Sequence, residues 1–123
     1  MMKTALLLIA HGSREAEAND DLHHVAAGMS ARGEFAVVEV SFLELAEPRI
    51  EQRAAACVAK GVERVVLLPY FLSAGVHVRR DLTEMRRRLA ERFPSVDWCL
   101  AEPLGRHPLL LDVVAVRARE AMQ

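Results

Sequence analysis

The chain has 123 residues, 52% hydrophobic and 27% charged, which is enough to bury a core and remain soluble as one domain over residues 1–123. A net charge of −1 supplies no basic field, so neither nucleic acid nor an anionic membrane is expected as a partner. Two cysteines, Cys57 and Cys99, sit in apolar segments without metal-ligand spacing, which points to buried, reduced thiols and a cytoplasmic protein.

The first apolar run, residues 4–10, is too short to span a membrane and reads as a strand apolar on both faces, the mark of a central parallel strand. His11-Gly12-Ser13-Arg14 follows it. Ser13 is expected to N-cap a helix with Glu15 in its first turn, running to about Ala31. Leu22, Val25, Ala26 and Met29 form its buried stripe, and Gly33 ends it. His23 and His24 are adjacent and cannot both face one metal, so they read as exposed helix surface.

Phe35–Leu43 is the second strand, and its polar Glu39 and Ser41 suit an edge position. Glu44 stands just past its carboxyl end. Pro48 is expected as the first helical residue, with Ile50, Ala54, Cys57 and Val58 as the stripe and Gly61 as the close. Glu63–Pro69 is the third strand, which Pro69 ends because it cannot continue a central ladder. The small residues Ser73, Ala74 and Gly75 then let a ligand approach the backbone, and His77 follows where a helix begins.

Val78, Leu82, Met85, Leu89 and Phe93 stripe that third helix, while Arg86, Arg87 and Arg88 read as its solvated face. Asp81 has two open roles: orienting His77 from one turn away, or capping the helix with Glu84 in a capping box. Val96–Ala101 is the fourth strand, and His107-Pro108 opens a last helix carrying Leu110, Val113, Val114 and Arg117. His107 is open between a helix-start role and a site role.

Four strand–helix repeats imply an α/β fold: a four-stranded parallel sheet with helices on both faces, flavodoxin-like in topology. No GxGxxG or Walker sequence is present, which argues against dinucleotide or nucleoside-triphosphate chemistry. Ligands of such sheets bind beyond the carboxyl ends of the strands. His11, Glu44 and His77 stand there at equal intervals, a consequence of the repeating unit. Two imidazoles and a carboxylate suit a divalent first-row metal such as cobalt, nickel or iron. Three ligands in an apolar crevice suit a metal that is handed on, not a closed structural zinc site.

HGSR after the first strand, FLE after the second, LPYFLSAGVHVRRD after the third and EPLGRHP after the fourth resemble the short, single-lobe CbiX-type sirohydrochlorin chelatases. The resemblance runs from about Leu6 to Arg117. It implies class II, ATP-independent insertion of a divalent metal into the tetrapyrrole sirohydrochlorin, with Co²⁺ leading and Ni²⁺ or Fe²⁺ as alternatives, for cobalamin or sirohaem-type biosynthesis. Carried over, His11 and His77 become metal ligands and catalytic residues, with His11 the proton acceptor, and Glu44 contacts metal or substrate. Phe71, Leu72, Ser73, Ala74, Gly75 and Val76 line the tetrapyrrole. Short members of the family pair as homodimers, so a two-fold dimer with the macrocycle at the interface is implied.

The chemistry agrees with those residue types. Metalation expels two pyrrole protons, and a neutral imidazole accepts a proton near neutral pH. Arg14, Arg79 and Arg80 are the nearest candidates to meet substrate carboxylates. The alternative reading is a metal or tetrapyrrole carrier that keeps the site and performs no insertion.

Overall fold

A computed structural model describes residues 2–123. The elements alternate without interruption: β1 (Thr4–Ala10), α1 (Ala16–Arg32), β2 (Val37–Phe42), α2 (Ile50–Ala59), β3 (Arg64–Pro69), α3 (Val76–Arg92), β4 (Asp97–Leu100) and α4 (Leu109–Ala121). All four strands are parallel in the order β2-β1-β3-β4. The doubly wound topology expected from the repeats is therefore present, with β1 at the centre and β2 at one edge.

β1 is central because five consecutive residues, Ala5 to Ile9, are buried, and its side chains alternate between two cores. Leu6 and Leu8 join Leu22 of α1 and Val40 and Phe42 of β2, with Val25, Ala26 and Met29 packed alongside. Ala5, Leu7 and Ile9 face the other way, toward Ile50, Ala54 and Cys57 of α2 and Leu82 and Leu89 of α3. The helical stripes of α1, α2 and α3 thus point where the periodicity places them.

Several local expectations are corrected. Ser13 does not cap α1; it lies three residues before the helix, its hydroxyl accepts the Glu15 N–H at 3.0 Å, and Glu15 occupies the cap without a side-chain bond. Pro48 stays outside α2, which starts at Ile50 behind Arg49. Ser41 is fully buried in the edge strand because its hydroxyl donates to the Leu8 carbonyl at 3.1 Å. Glu39 is held by Lys60 at 2.7 Å and Arg53 at 3.4 Å. Cys99 is only half-buried, while Cys57 is completely buried, and both are free thiols.

The largest departure is α4. Helices cover both sheet faces, α1 on one and α2 with α3 on the other, but α4 buries none of its residues fully, with Leu110 and Ala115 half-buried and the rest exposed.

Burial, with the Glu39 carboxylate adding to it, pushes the Cys57 thiol from its ordinary 9.0 up to about 11. Below pH 9 the thiol is protonated in both states and is neutral for stability. Between pH 9 and about 11 only the unfolded chain loses the proton, so folding stability falls by up to ~3 kcal/mol at ~1.4 kcal/mol per unit. Urea unfolding of the native chain and Cys57→Ala across that window checks this, and the variant is expected to lose that part of the slope.

Leu89 is 0% exposed at the heart of the α3 stripe. Leu89→Ala is expected to cost ~2–5 kcal/mol in the same assay through the cavity it leaves.

Candidate active site

The loops after β1, β2 and β3 meet at the carboxyl edge of the sheet, because these three strands are neighbours and end level. Ala10 pairs with Phe42, and Ile9 with Pro69. The β1–β2 ladder then continues past both strands: Leu43 N–H donates to the Ala10 carbonyl and Glu44 N–H to the His11 carbonyl, each at 2.9 Å. His11 and Glu44 are thereby fixed side by side at the level of the backbone.

That approach is too close for a side chain on the intervening residue. A Cβ on Gly12 would lie 1.8 Å from the Glu44 carbonyl oxygen, and Gly12 has φ +96°. Only glycine meets both conditions at low cost. The rest of the loop is bracketed by Asn19, whose amide accepts from Ser13 N–H at 3.0 Å and donates to the Ser13 carbonyl at 2.8 Å.

The His11 ring stacks on Phe71, with centroids 4.3 Å apart and planes 21° from parallel. Phe71 is 6% exposed, so its ring backs the imidazole, and Leu72, at 71%, is the loop's exposed apolar side chain. Ala74 packs against the core, and Val76 already belongs to α3. His77 lies in the first turn of α3 and is exposed, as are His11 and Glu44. The structure brings the three onto adjacent loops and leaves their side chains open: among the described residues no three His, Cys, Asp or Glu side chains are grouped closely enough to hold a metal ion.

Asp81 is not a cap, since α3 begins five residues earlier behind Gly75, and Glu84 pairs with Arg87. It keeps the helical spacing to His77 and borders a depression shared with Leu43, Ile50 and Arg88. Arg79 is committed elsewhere: it donates to the Ala74 carbonyl at 3.1 Å and pairs with Glu102 at 3.3 Å, so it ties the β3 loop to the β4 loop. Arg14 and Arg80 remain exposed. His107 resolves to a helix-start role, with Nδ1 accepting the Leu109 N–H at 3.2 Å. Arg87, between Glu84 and Glu91, and Arg88 are exposed as the solvated face requires, whereas Arg86 is half-buried and donates to the Trp98 carbonyl at 3.4 Å.

The residues the sequence reading passed over are the ones that set distances. Gly105 is the second of these, because a Cβ there would lie 1.6 Å from the Leu72 carbonyl oxygen. Together with the Leu104 N–H to Phe71 carbonyl bond at 2.9 Å, it fixes the β4 loop against the β3 loop. A glycine in the loops after β1 and β4 is the available signal; Asn19 gives none.

The CbiX family model matches residues 5–121. The chain belongs to the CbiX family. Sirohydrochlorin ferrochelatase of Arabidopsis thaliana chloroplasts is 34% identical over 117 residues, which cover 95% of this chain and 52% of that protein. Sirohydrochlorin cobaltochelatase of Methanopyrus kandleri is 29% identical over 138 residues, covering 96% of each. The solved structure of SirB from Bacillus subtilis with Fe³⁺ superposes with a TM-score of 0.86 at 34% identity, over 98% of this chain and 48% of that one. The chain therefore spans about half the length of several of the relatives it matches.

Gly12→Ala is expected to force the Glu44 carbonyl away from His11 and to strain a positive φ, costing ~1–3 kcal/mol. Thermal unfolding checks it. Gly28→Ala, at a helix position with open space around it, is the control and should be neutral or slightly stabilising.

Proposed function

We propose that this CbiX-family chain inserts a divalent metal into sirohydrochlorin without ATP, with Co²⁺ as its leading metal and Fe²⁺ or Ni²⁺ as alternatives, in cobalamin or sirohaem-type biosynthesis. The observation that carries the reading is the placement of His11, Glu44 and His77 on three adjacent loops, in a chain matched to the family over residues 5–121. The names of its relatives include both cobaltochelatase and ferrochelatase, so the choice of metal rests on the present proposal.

In this reading the metal is a substrate. An open set of two imidazoles and one carboxylate on exposed loops suits an ion that arrives, is held briefly and leaves in the macrocycle. His11 and His77 hold it, and Glu44 holds the metal or a pyrrole nitrogen. His11 takes up a proton as the metal enters. Its imidazole is poised for this by the stack on Phe71 and by the backbone bond from Glu44 to the His11 carbonyl. Leu72, Ser73, Ala74, Gly75 and Val76 form the shelf for the macrocycle face, with Phe71 beneath. Arg14 and Arg80 meet its carboxylates, while Arg79 braces the shelf.

One lobe offers a shelf and not an enclosed pocket. The cavity between the Leu72–Ala74 segment and Arg106, about 280 Å³, is lined by none of His11, Glu44 and His77. A flat macrocycle on the shelf would keep one face open to solvent, so the active unit in this proposal is a homodimer that encloses the substrate between two lobes. We place the reaction in the cytoplasm, with both cysteines as free thiols.

Incubation of the chain with sirohydrochlorin and Co²⁺, without nucleotide, tests the reading. Many turnovers per chain are expected, with rates reduced ~10²-fold or more in His11→Ala and His77→Ala. A spectral change that stops at one equivalent would identify a carrier instead, and a rate equal to the uncatalysed one would refute insertion.

A further inference from the structure

Among the described residues two that are not glycine hold a positive φ, Leu45 at +64° and Arg106 at +68°, and Leu45 directly follows Glu44. A leucine in the left-handed region is unfavourable, because its Cβ crowds the neighbouring carbonyl oxygen. Such a conformation persists only where its surroundings over-determine it. The Leu45 side chain supplies little of that restraint by packing, since it is 46% exposed.

The main chain holds only the two ends of the segment. At its start, Leu43 N–H and Glu44 N–H donate to the Ala10 and His11 carbonyls, each at 2.9 Å. At its end, Phe42 N–H donates to the Pro48 carbonyl at 2.9 Å. Among the described residues no main-chain hydrogen bond involves residues 45–47. A side chain holds the middle instead. Arg49, the residue before α2, turns its guanidinium back over the turn. Its Nε donates to the Ala46 carbonyl at 3.2 Å and its Nη1 to the Leu43 carbonyl at 3.4 Å. The two acceptors flank Glu44 and Leu45, and a rigid planar fork can bracket both at once.

An exposed arginine is ordinarily explained by an ion pair, and Glu47 is at hand. Its carboxylate lies 3.9 Å from Nε, and the two side chains are 50% and 73% exposed. A pair so long and so exposed contributes little. The two carbonyl bonds are shorter, and they are the contacts that act on the turn.

The turn matters to the site because both of its ends are pinned. A return of Leu45 to negative φ has to be absorbed by the adjoining peptide units. The nearest is the Glu44–Leu45 peptide, whose carbonyl oxygen packs over Gly12. The direction of the Glu44 side chain changes with it.

We propose that Arg49 is a positioning residue for Glu44: its guanidinium holds the Leu43–Ala46 turn in the left-handed form that Leu45 alone would abandon, and so fixes the direction in which the Glu44 carboxylate is presented. The proposal rests on the role given to Glu44 above. Arg49 acts through the backbone and touches no reacting atom.

Co²⁺ titration without tetrapyrrole tests it, together with NMR of the Leu45 backbone. Arg49→Ala is expected to weaken Co²⁺ binding ~10-fold and to move the Leu45 Cα and amide shifts out of the left-handed range. Added to Glu44→Ala, it should weaken binding no further. Arg49→Ala/Leu45→Gly should regain the native affinity, because glycine keeps a positive φ without a brace. Arg49→Lys keeps the charge but not the fork, and should stay weak. A purely structural role would lower the urea midpoint and show neither the coupling to Glu44 nor the glycine rescue. Native affinity in Arg49→Ala beside weak binding in Glu44→Ala overturns the brace alone, as do equal losses from Arg49→Ala with and without Glu44. Native affinity in Glu44→Ala overturns the role of Glu44 and the proposal together.

Discussion

Two backbone hydrogen bonds beyond the end of the sheet set the geometry on which the site depends. The β1–β2 ladder does not stop at Ala10 and Phe42 but runs on through Leu43 to Ala10 and Glu44 to His11. A ladder can continue only where the chains stay close, and here the Gly12 position comes so near the Glu44 carbonyl that a Cβ has no room. An imidazole and a carboxylate-bearing residue are thus tied by main chain, which is stiffer than any side-chain contact. The stack of His11 on Phe71 links this pair to the loop after β3, whose outgoing helix carries His77.

The scaffold that holds these loops level is the buried β1. Its side chains fill two cores in alternation, so the sheet cannot slip by one residue without turning apolar groups to the wrong face. The edge strand β2 is held from outside by Glu39 with Lys60 and Arg53, and from inside by the Ser41 hydroxyl on the Leu8 carbonyl. Most of the polar work at the carboxyl edge is likewise positioning. Arg79 and Asn19 spend their side chains on loop carbonyls and amides, which leaves His11, Glu44 and His77 exposed to a ligand.

The strands and the stripes of α1, α2 and α3 were legible because burial on one helical face or on both strand faces writes a period into the sequence. His11 and Glu44 stand out as candidates because each follows an apolar run closely, and His77 because it opens the helix after the third strand's loop. What the sequence hid was decided by contacts between loops. Ser13 and Pro48 have good helix-start chemistry, yet Ser13 is taken up by local bonds with Glu15 and Asn19 and the Pro48 carbonyl by the Phe42 N–H, and both helices start a few residues later. Arg79 looked free for substrate because its partner, Glu102, lies on a loop distant in sequence. The sequence places Leu110, Val113 and Val114 along the last helix without a partner, and the structure leaves Leu110 half-buried and Val113 and Val114 exposed.

The central claim is that His11, Glu44 and His77 serve one metal. Visible absorption of Co²⁺ titrated into the chain without tetrapyrrole tests it directly, since imidazole and carboxylate ligands shift and intensify the ligand-field bands relative to the aqueous ion. The account predicts one equivalent bound, with the bands weakened separately by His11→Ala, Glu44→Ala and His77→Ala. Bands that are identical in the native chain and in His77→Ala would contradict it, because the loop after β3 would then contribute no ligand.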